Sequence, residues 1–413
     1  MLQLKNLFLF FLLGIMVTGC SKELDSEEPT PGTGTVNGEL YINVTGYFIK
    51  INTVDSSMVW GTETRNLFAS FNNPMTFDTT AYYHGNFNGI TAYSEQTGQP
   101  KWSVNWYAFE DAITYRKPAF KGANVYFTSP SSMWDHGYLY CADKNSGKVK
   151  WMIQLDYGFA SYPFNTTPMV VGENVIVITR DAENHKRLTA FRTDDGAEVW
   201  KSEILDDISF HLRLENDRIY STSNKYAICI NARTGQKLWQ TDLGVEQFKR
   251  TANFFKQDKL IVVKVKGTAY NFVSVDINTG QVQKKSQLQI PTSVGDPDFA
   301  SMGCDLSGTS AYIATRYDMD SMRIASYDLN TMAVKWEKKI KNYLYTDFTP
   351  LLTDKYLIFP VNSTYPEGKS HMNFYSFDGK LVKQVPFNGN YTAGFAFKEN
   401  GKMYQQDNDY MEY

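Results

Sequence analysis

Four cysteines and five histidines are the residues of this 413-residue chain best suited to nucleophilic or metal chemistry. A thiolate can attack a carbonyl or hold zinc, and a neutral imidazole can move protons or ligate a metal. Their spacing supports neither role. His84, His136, His185, His211 and His371 show no metal-ligand pattern, and no two cysteines are adjacent. No Gly-x-Ser-x-Gly elbow or phosphate-cradling glycine loop occurs. Asp318-Met-Asp320 and Asp407-Asn-Asp409 could touch Ca²⁺, but neither makes an EF-hand loop, and both read as solvated loop charge. Cys141 and Cys229 each stand six residues before a turn glycine. With Cys304 they read as small buried hydrophobes, outside any disulfide. No catalytic residue, cofactor or metal is expected, and the chain is expected not to be an enzyme.

Composition moves the chemistry toward binding. Aromatics make up 15% of the chain, from 27 Phe, 27 Tyr and 8 Trp. That content excludes a largely disordered chain and favours strands. Lys+Arg 41 against Asp+Glu 44 gives a formal charge of -3, which argues against a broad basic nucleic-acid surface. Length alone would suggest two or three domains of ~150 residues.

The N-terminus reads as an address. Lys5 supplies a positive start, and Leu7 to Val17 is an apolar run too short to span a bilayer. It ends in Val17-Thr18-Gly19-Cys20, which resembles the lipobox of bacterial lipoproteins. The resemblance implies a signal peptide over 1–19 and acylation of Cys20. Residues 20–38 follow as an acidic, Pro/Gly-rich tether. Its Lys22-Glu23-Leu24-Asp25 also resembles an export signal that carries lipoproteins to the surface of some Gram-negative cells. A plain solvated linker fits the same composition.

Residues 39–413 are organised by a repeat. An alternating apolar run leads to a Thr-Gly-like turn, with Trp four residues after the glycine. Full copies carry Gly98 with Trp102, Gly147 with Trp151, Gly196 with Trp200 and Gly235 with Trp239. Four copies are degenerate: Ser56 with Trp60, Gly280 with Lys284, Met332 with Trp336, and Gly379 with Lys383. The anchors stand 39 to 52 residues apart, in the range of a four-stranded propeller blade. Six of the eight Trp (Trp60, Trp102, Trp151, Trp200, Trp239 and Trp336) hold one repeat position, so they are expected to pack between blades. Period-2 alternation, as in Asn124-Val-Tyr-Phe-Thr128, predicts four antiparallel strands per unit.

The motif, with Asp143-Lys-Asn-Ser-Gly147 and Trp151 as a full version, resembles the repeat of PQQ-like, quinoprotein-type β-propellers. The resemblance implies an all-β, eight-bladed propeller of four-stranded antiparallel blades. Ala393–Phe397 and Lys402–Gln405 are expected to close the ring against the first blade, which removes exposed edges. Quinoproteins of this type stack PQQ on a vicinal Cys-Cys pair, which this chain lacks.

Length varies mainly in the connections after the second and fourth strands of each unit, which emerge on one face. Those connections hold Trp106 and Tyr107, Trp134, Tyr157, Tyr162 and Phe164, Tyr345 and Tyr365, a candidate aromatic binding face. Packing of these rings across the channel mouth explains them equally well.

Signal, repeats and the missing catalytic set together resemble the family of the outer-membrane assembly factor BamB. The resemblance implies a lipid-anchored, non-enzymatic scaffold of the Gram-negative outer membrane, monomeric within a complex. Its partner would be barrel-assembly machinery. A surface lipoprotein binding glycan or another extracellular ligand is the alternative, and a propeller enzyme is a third reading.

Overall fold

The computed structural model describes residues 34–44, 46–63, 75–78, 81–86, 89–105, 117–129, 137–155, 167–183, 185–205, 208, 212–223, 225–244, 250–256, 258–266, 269–289, 301–307, 309–316, 321–341, 350–362, 369–389 and 392–405. The chain opens with β1 (Glu39–Val44), β2 (Tyr47–Asn52) and β3 (Met58–Glu63). Then come β4 (Met75–Phe77), β5 (Ala81–Asn86), β6 (Gly89–Ser94) and β7 (Pro100–Asn105). They are followed by β8 (Ala119–Lys121), β9 (Asn124–Thr128), β10 (Tyr138–Asp143) and β11 (Val149–Gln154). The next four are β12 (Met169–Val171), β13 (Asn174–Arg180), β14 (Lys186–Arg192) and β15 (Glu198–Lys201). After them run β16 (Leu212–Glu215), β17 (Arg218–Thr222), β18 (Tyr226–Asn231) and β19 (Lys237–Asp242). Longer strands follow in β20 (Arg250–Lys256), β21 (Lys259–Lys266), β22 (Ala269–Asp276) and β23 (Val282–Gln289). Two further sets are β24 (Ser301–Ser307), β25 (Ser310–Arg316), β26 (Ser321–Asp328), β27 (Val334–Lys341), and β28 (Leu351–Leu352), β29 (Tyr356–Val361), β30 (Lys369–Ser376), β31 (Leu381–Asn388). The last strands are β32 (Thr392–Glu399) and β33 (Lys402–Gln405).

From β4 to β31 each successive set of four strands forms one antiparallel meander. These are seven four-stranded blades, against the eight expected. The remaining sheet has five strands in the order β3-β2-β1-β32-β33, so both ends of the chain build it. β1 pairs antiparallel with β32, setting Leu40 opposite Phe397 and Ile42 opposite Phe395. The expected ring closure is therefore present. The count differs because the C-terminal hairpin adds two strands to three N-terminal ones, where a repeat has four. First strands of neighbouring sheets touch, as in β8 with β12, β20 with β24 and β24 with β28, and in the closing sheet the last strand β33 takes that place against β28.

The repeat motif has a local physical cause. In four of the seven four-stranded blades the third strand ends in Asp or Asn (Asp143, Asn231, Asp276 and Asp328), whose side chain accepts amides of the following turn. Asp143 Oδ1 accepts from Asn145 N at 3.1 Å and Ser146 N at 2.9 Å. Asp276 and Asp328 make the same turn. Such Asx turns stand in for a backbone turn. A residue with φ near +70° completes it: Gly98, Gly147, Gly196, Gly235 and Gly280 all lie between 71° and 75°. Just before each such turn the pairing register slips by one residue, for example between Cys141 and Ala142. This is a bulge that needs a left-handed residue. Second and third strands are buried on alternate faces against both neighbouring sheets; Val125, Tyr126, Leu139, Cys141 and Ala142 are all fully buried. Among the described residues no helix is long and apolar enough to cross a membrane.

Candidate functional site

The interfaces between sheets carry most of the side chains singled out by the repeat. Each outer-strand tryptophan reaches over the turn of the next sheet. A Cβ on Gly98 would stand 2.6 Å from Trp60 Cε3, and one on Gly147 would stand 2.7 Å from Trp102 Cδ2. Gly196 meets Trp151, Gly235 meets Trp200, Gly280 meets Trp239 and Gly379 meets Trp336 in the same way. Glycine is thus required twice, for φ and for the ring lying on it. The indole N–H then donates to a backbone carbonyl of that turn. The pairs are Trp60 to Glu95 O at 3.2 Å, Trp102 to Lys144 O at 2.8 Å and Trp151 to Thr193 O at 3.2 Å. Trp239 to Ile277 O at 3.1 Å and Trp336 to Phe377 O at 2.9 Å repeat it. Only the Trp200 indole N–H, among these six, is buried without a partner.

Two interfaces lack the ring, and there the lysine takes over the donor role. Lys284 Nζ reaches Leu329 O at 3.4 Å and Asn330 O at 3.5 Å, in the next turn. Lys383 Nζ reaches Val54 O at 2.6 Å, from the last four-stranded blade to the closing sheet. The turns they meet are the two without glycine, where Met332 has φ 58° and Ser56 has φ 61°. Degeneration of the motif is therefore paired across interfaces. A Cβ is tolerated where no indole covers the turn.

Sequence reading missed a second repeated ring. Tyr41, Tyr126, Tyr220 and Tyr312, on the second or equivalent strands, lie 5.9 to 6.3 Å from Trp60, Trp151, Trp239 and Trp336. The Tyr126 and Tyr220 hydroxyls donate to Thr193 O and Ile277 O, the carbonyls that also receive the indoles. Burial pushes both hydroxyls up to about 12. The available signal was a Tyr 19 to 25 residues before the repeat Trp in these units.

A half-buried ionic cluster bolts the closing sheet to the β4–β7 sheet. The Tyr41 hydroxyl donates to Glu95 and lies 2.9 Å from Glu39. Lys398 Nζ is 2.9 Å and Lys50 Nζ 3.5 Å from Glu95, and Lys50 is 2.8 Å from Glu39. Two cations thus balance two carboxylates. Burial works to raise the Glu95 carboxyl. Hydrogen bonds from Tyr41 and Lys398, with the charges of Lys398 and Lys50, hold it below its ordinary value. Burial first, then the Glu95 bond, drives the Tyr41 hydroxyl far above its ordinary range.

Among the described residues the outer strands pair on one side only, and they expose apolar side chains. Met58 is 66% exposed on β3, Met152 53% on β11 and Val199 50% on β15. Leu238, Val282 and Val334 do the same on β19, β23 and β27. An unpaired edge presents a row of backbone donors and acceptors to another chain.

Other expected residues fall variously. Cys141 and Cys229 are free and fully buried, and burial pushes each thiol up to about 11. Both are inert packing groups, as their position suggested. Cys304 lies on β24, and its side chain is outside the described residues. Cys20, Asp318, Asp320, Asp407, Asp409, Trp106, Tyr107, Trp134, Tyr157, Tyr162, Phe164, Tyr345 and Tyr365 also lie outside them. His185 is brought together with Asp181 and Glu183, their ligand atoms within 4.8 Å of one another. Arg187 Nε stands 3.7 Å from Asp181 and supplies a cation to this group from the chain itself.

Comparisons with known proteins agree with this geometry. The chain resembles the crystal structure of BamB from Moraxella catarrhalis at 12% identity and TM-score 0.54, covering 90% of this chain and 95% of that one. Europium-containing methanol dehydrogenase matches at 11% identity and TM-score 0.57, covering 83% and 81%. Apo AztD from Citrobacter koseri matches at 9% identity and TM-score 0.56, covering 90% and 99%. At these identities the likeness is one of fold, and the fold is shared by a quinoprotein-type enzyme and by BamB. Comparison with curated protein sequences finds no match. The profile described as outer membrane protein assembly factor BamB, however, matches residues 86–338, more than half of the chain. With its PQQ-like repeats closed into a ring of β-sheets, the chain belongs to the BamB-like family of propellers.

Proposed function

We propose that the chain is a lipid-anchored, non-catalytic scaffold of the outer membrane that takes part in assembling outer-membrane proteins. The observation that carries this reading is the family match over residues 86–338. The exposed outer strands support it physically. A polypeptide that has not yet paired its strands can add to an unpaired edge, with main-chain hydrogen bonds giving affinity and flanking apolar residues giving preference. The exposed side chains of β3, β11, β15, β19, β23 and β27 suit such a partner. Cys20 would supply the anchor, since a short apolar leader followed by Gly19-Cys20 fits acylation. The structural roles found for the repeat Trp and for Cys141 and Cys229 leave them in packing, which supports a binding role over catalysis.

The test is affinity capture of the tagged full-length protein from detergent-solubilised outer membranes. Recovery of barrel-assembly components supports the role, and their absence from a capture that retains the tagged protein removes it. Protease shaving of intact cells decides the side of the membrane. Release of the propeller would favour the surface reading suggested by the acidic tether, and protection would favour a periplasmic scaffold.

A further inference from the structure

The Lys284 interface leaves space where other interfaces hold an indole. A cavity of about 310 Å³ opens between the β20–β23 and β24–β27 blades, near the lower end of small-molecule site volumes. Its apolar floor is Ile261, Phe272, Leu329 and Met332, which belong to one core cluster. Its rim holds Lys259 and Lys284, and its described lining contains no carboxylate. Asp276, which faces Lys259, is engaged by the amides of its own turn. Ser274 and Ser286 also line the cavity. Lys284 meets its two carbonyls only at 3.4 and 3.5 Å, long for a charge-assisted bond, so its ammonium can turn to an anion at little cost.

We propose that this slot binds a small aromatic carboxylate. The ring lies on Phe272 and Met332, in the space an indole fills at the neighbouring interfaces. The carboxylate meets the Lys284 and Lys259 ammonium groups at the rim. Lys284 and Ser286 of its lining belong to the outer strand β23, but Lys284 reaches toward the turn of the next blade, so small-molecule binding in the slot is measured without any assembly partner.

The experiment is calorimetric titration of the full-length protein with indole-3-acetate, with uncharged indole as comparison. Saturable binding of indole-3-acetate is expected, about tenfold tighter than indole, since one charge-assisted hydrogen bond contributes at least that factor. The double variant Lys284→Trp with Met332→Gly restores the repeat pair and fills the slot. It should lose binding while melting at or above the wild-type temperature. Lys284→Met keeps the cavity and should lose about tenfold for indole-3-acetate and little for indole. No saturable binding by wild type up to about 5 mM, a range that would register even weak millimolar affinity, overturns the proposal. Unchanged affinity in Lys284→Met overturns it too, whether or not the double variant folds.

Discussion

Two glycines of one blade separate backbone strain from ring contact. Gly122 turns β8 into β9 with φ 56°, and a Cβ there meets nothing within 4 Å. Gly147 turns β10 into β11 with φ 71°, and its Cβ would stand 2.7 Å from both Cδ2 and Cε3 of Trp102. Gly122→Ala should therefore cost only the left-handed penalty, about 1–2 kcal/mol. Gly147→Ala pays the same penalty and must also push the indole off the turn. That overpacking adds about 1–3 kcal/mol, for a total of about 2–5 kcal/mol. The Trp102 hydrogen bond to Lys144 O, at 2.8 Å, resists the displacement. Urea denaturation followed by far-UV circular dichroism measures both, provided the slopes agree. A third variant closes the argument. In a Trp102→Lys background, which copies the Lys284–Met332 interface, Gly147→Ala should cost no more than Gly122→Ala. Equal costs for the two glycines in the wild-type background, or no relief from Trp102→Lys, would refute the account of paired degeneration.

The other expectations are shorter. Trp200→Phe should destabilise less than Trp102→Phe by about 1 kcal/mol, the net worth of a hydrogen bond, because the Trp200 N–H has no partner to lose; equal losses by urea titration would contradict this. Glu95 titrates below its ordinary 4.5 in the folded protein, so its stabilisation is complete above pH 4.5 and disappears as pH falls through the lowered value. Glu95→Gln should accordingly flatten the acid limb of stability against pH, and an unchanged limb would place the acid-sensitive group elsewhere. Cys20→Ser should give a protein that carbonate washing strips from membranes or that stays unprocessed; processed protein retained after the wash would contradict lipidation.

Much of the architecture is legible in the residue pattern because the turn imposes fixed chemistry. An Asx turn followed by a left-handed residue restricts two positions to few residue types, and the indole restricts a third. Four strands per unit follow from alternation, as at Asn124–Thr128, which is β9 without adjustment. The five-stranded sheet is less legible, since Ala393–Phe397 and Lys402–Gln405 resemble the opening hairpin of another unit. Only pairing across the chain ends shows that they extend β1 to β3. The interfaces are harder still. Aligning copies compares Gly147 with Gly98, whereas the contact joins Gly147 to Trp102, 45 positions earlier. Read within copies, Ser56, Lys284, Met332 and Lys383 look like four separate losses. Read from each copy to the next, they are two matched substitutions. The Tyr set is hidden for a related reason, because it recurs in only some units and its partner Trp stands two strands later.

The interface, and not the copy, is therefore the unit that the ring conserves within itself, and this carries a consequence for dynamics. The turn amides at Met332 and Gly147 make nearly identical local bonds, to Asp328 O at 2.7 Å and Asp143 O at 2.8 Å. Local geometry alone would give them equal protection from hydrogen exchange. They differ in what covers them: an indole at Gly147, a lysine arm beside a cavity at Met332. Opening of a turn costs less where fewer buried apolar contacts must separate. Amides of the Met332 turn should thus exchange faster than those of the Gly147 and Gly196 turns, with the Ser56 turn, under Lys383, on the faster side as well. Filling the slot through Lys284→Trp with Met332→Gly should slow exchange at that turn and leave the Ser56 turn unchanged. Equal protection at all four turns would mean that stability is shared evenly around the ring, and that the lysine interfaces are as tightly shut as the indole ones.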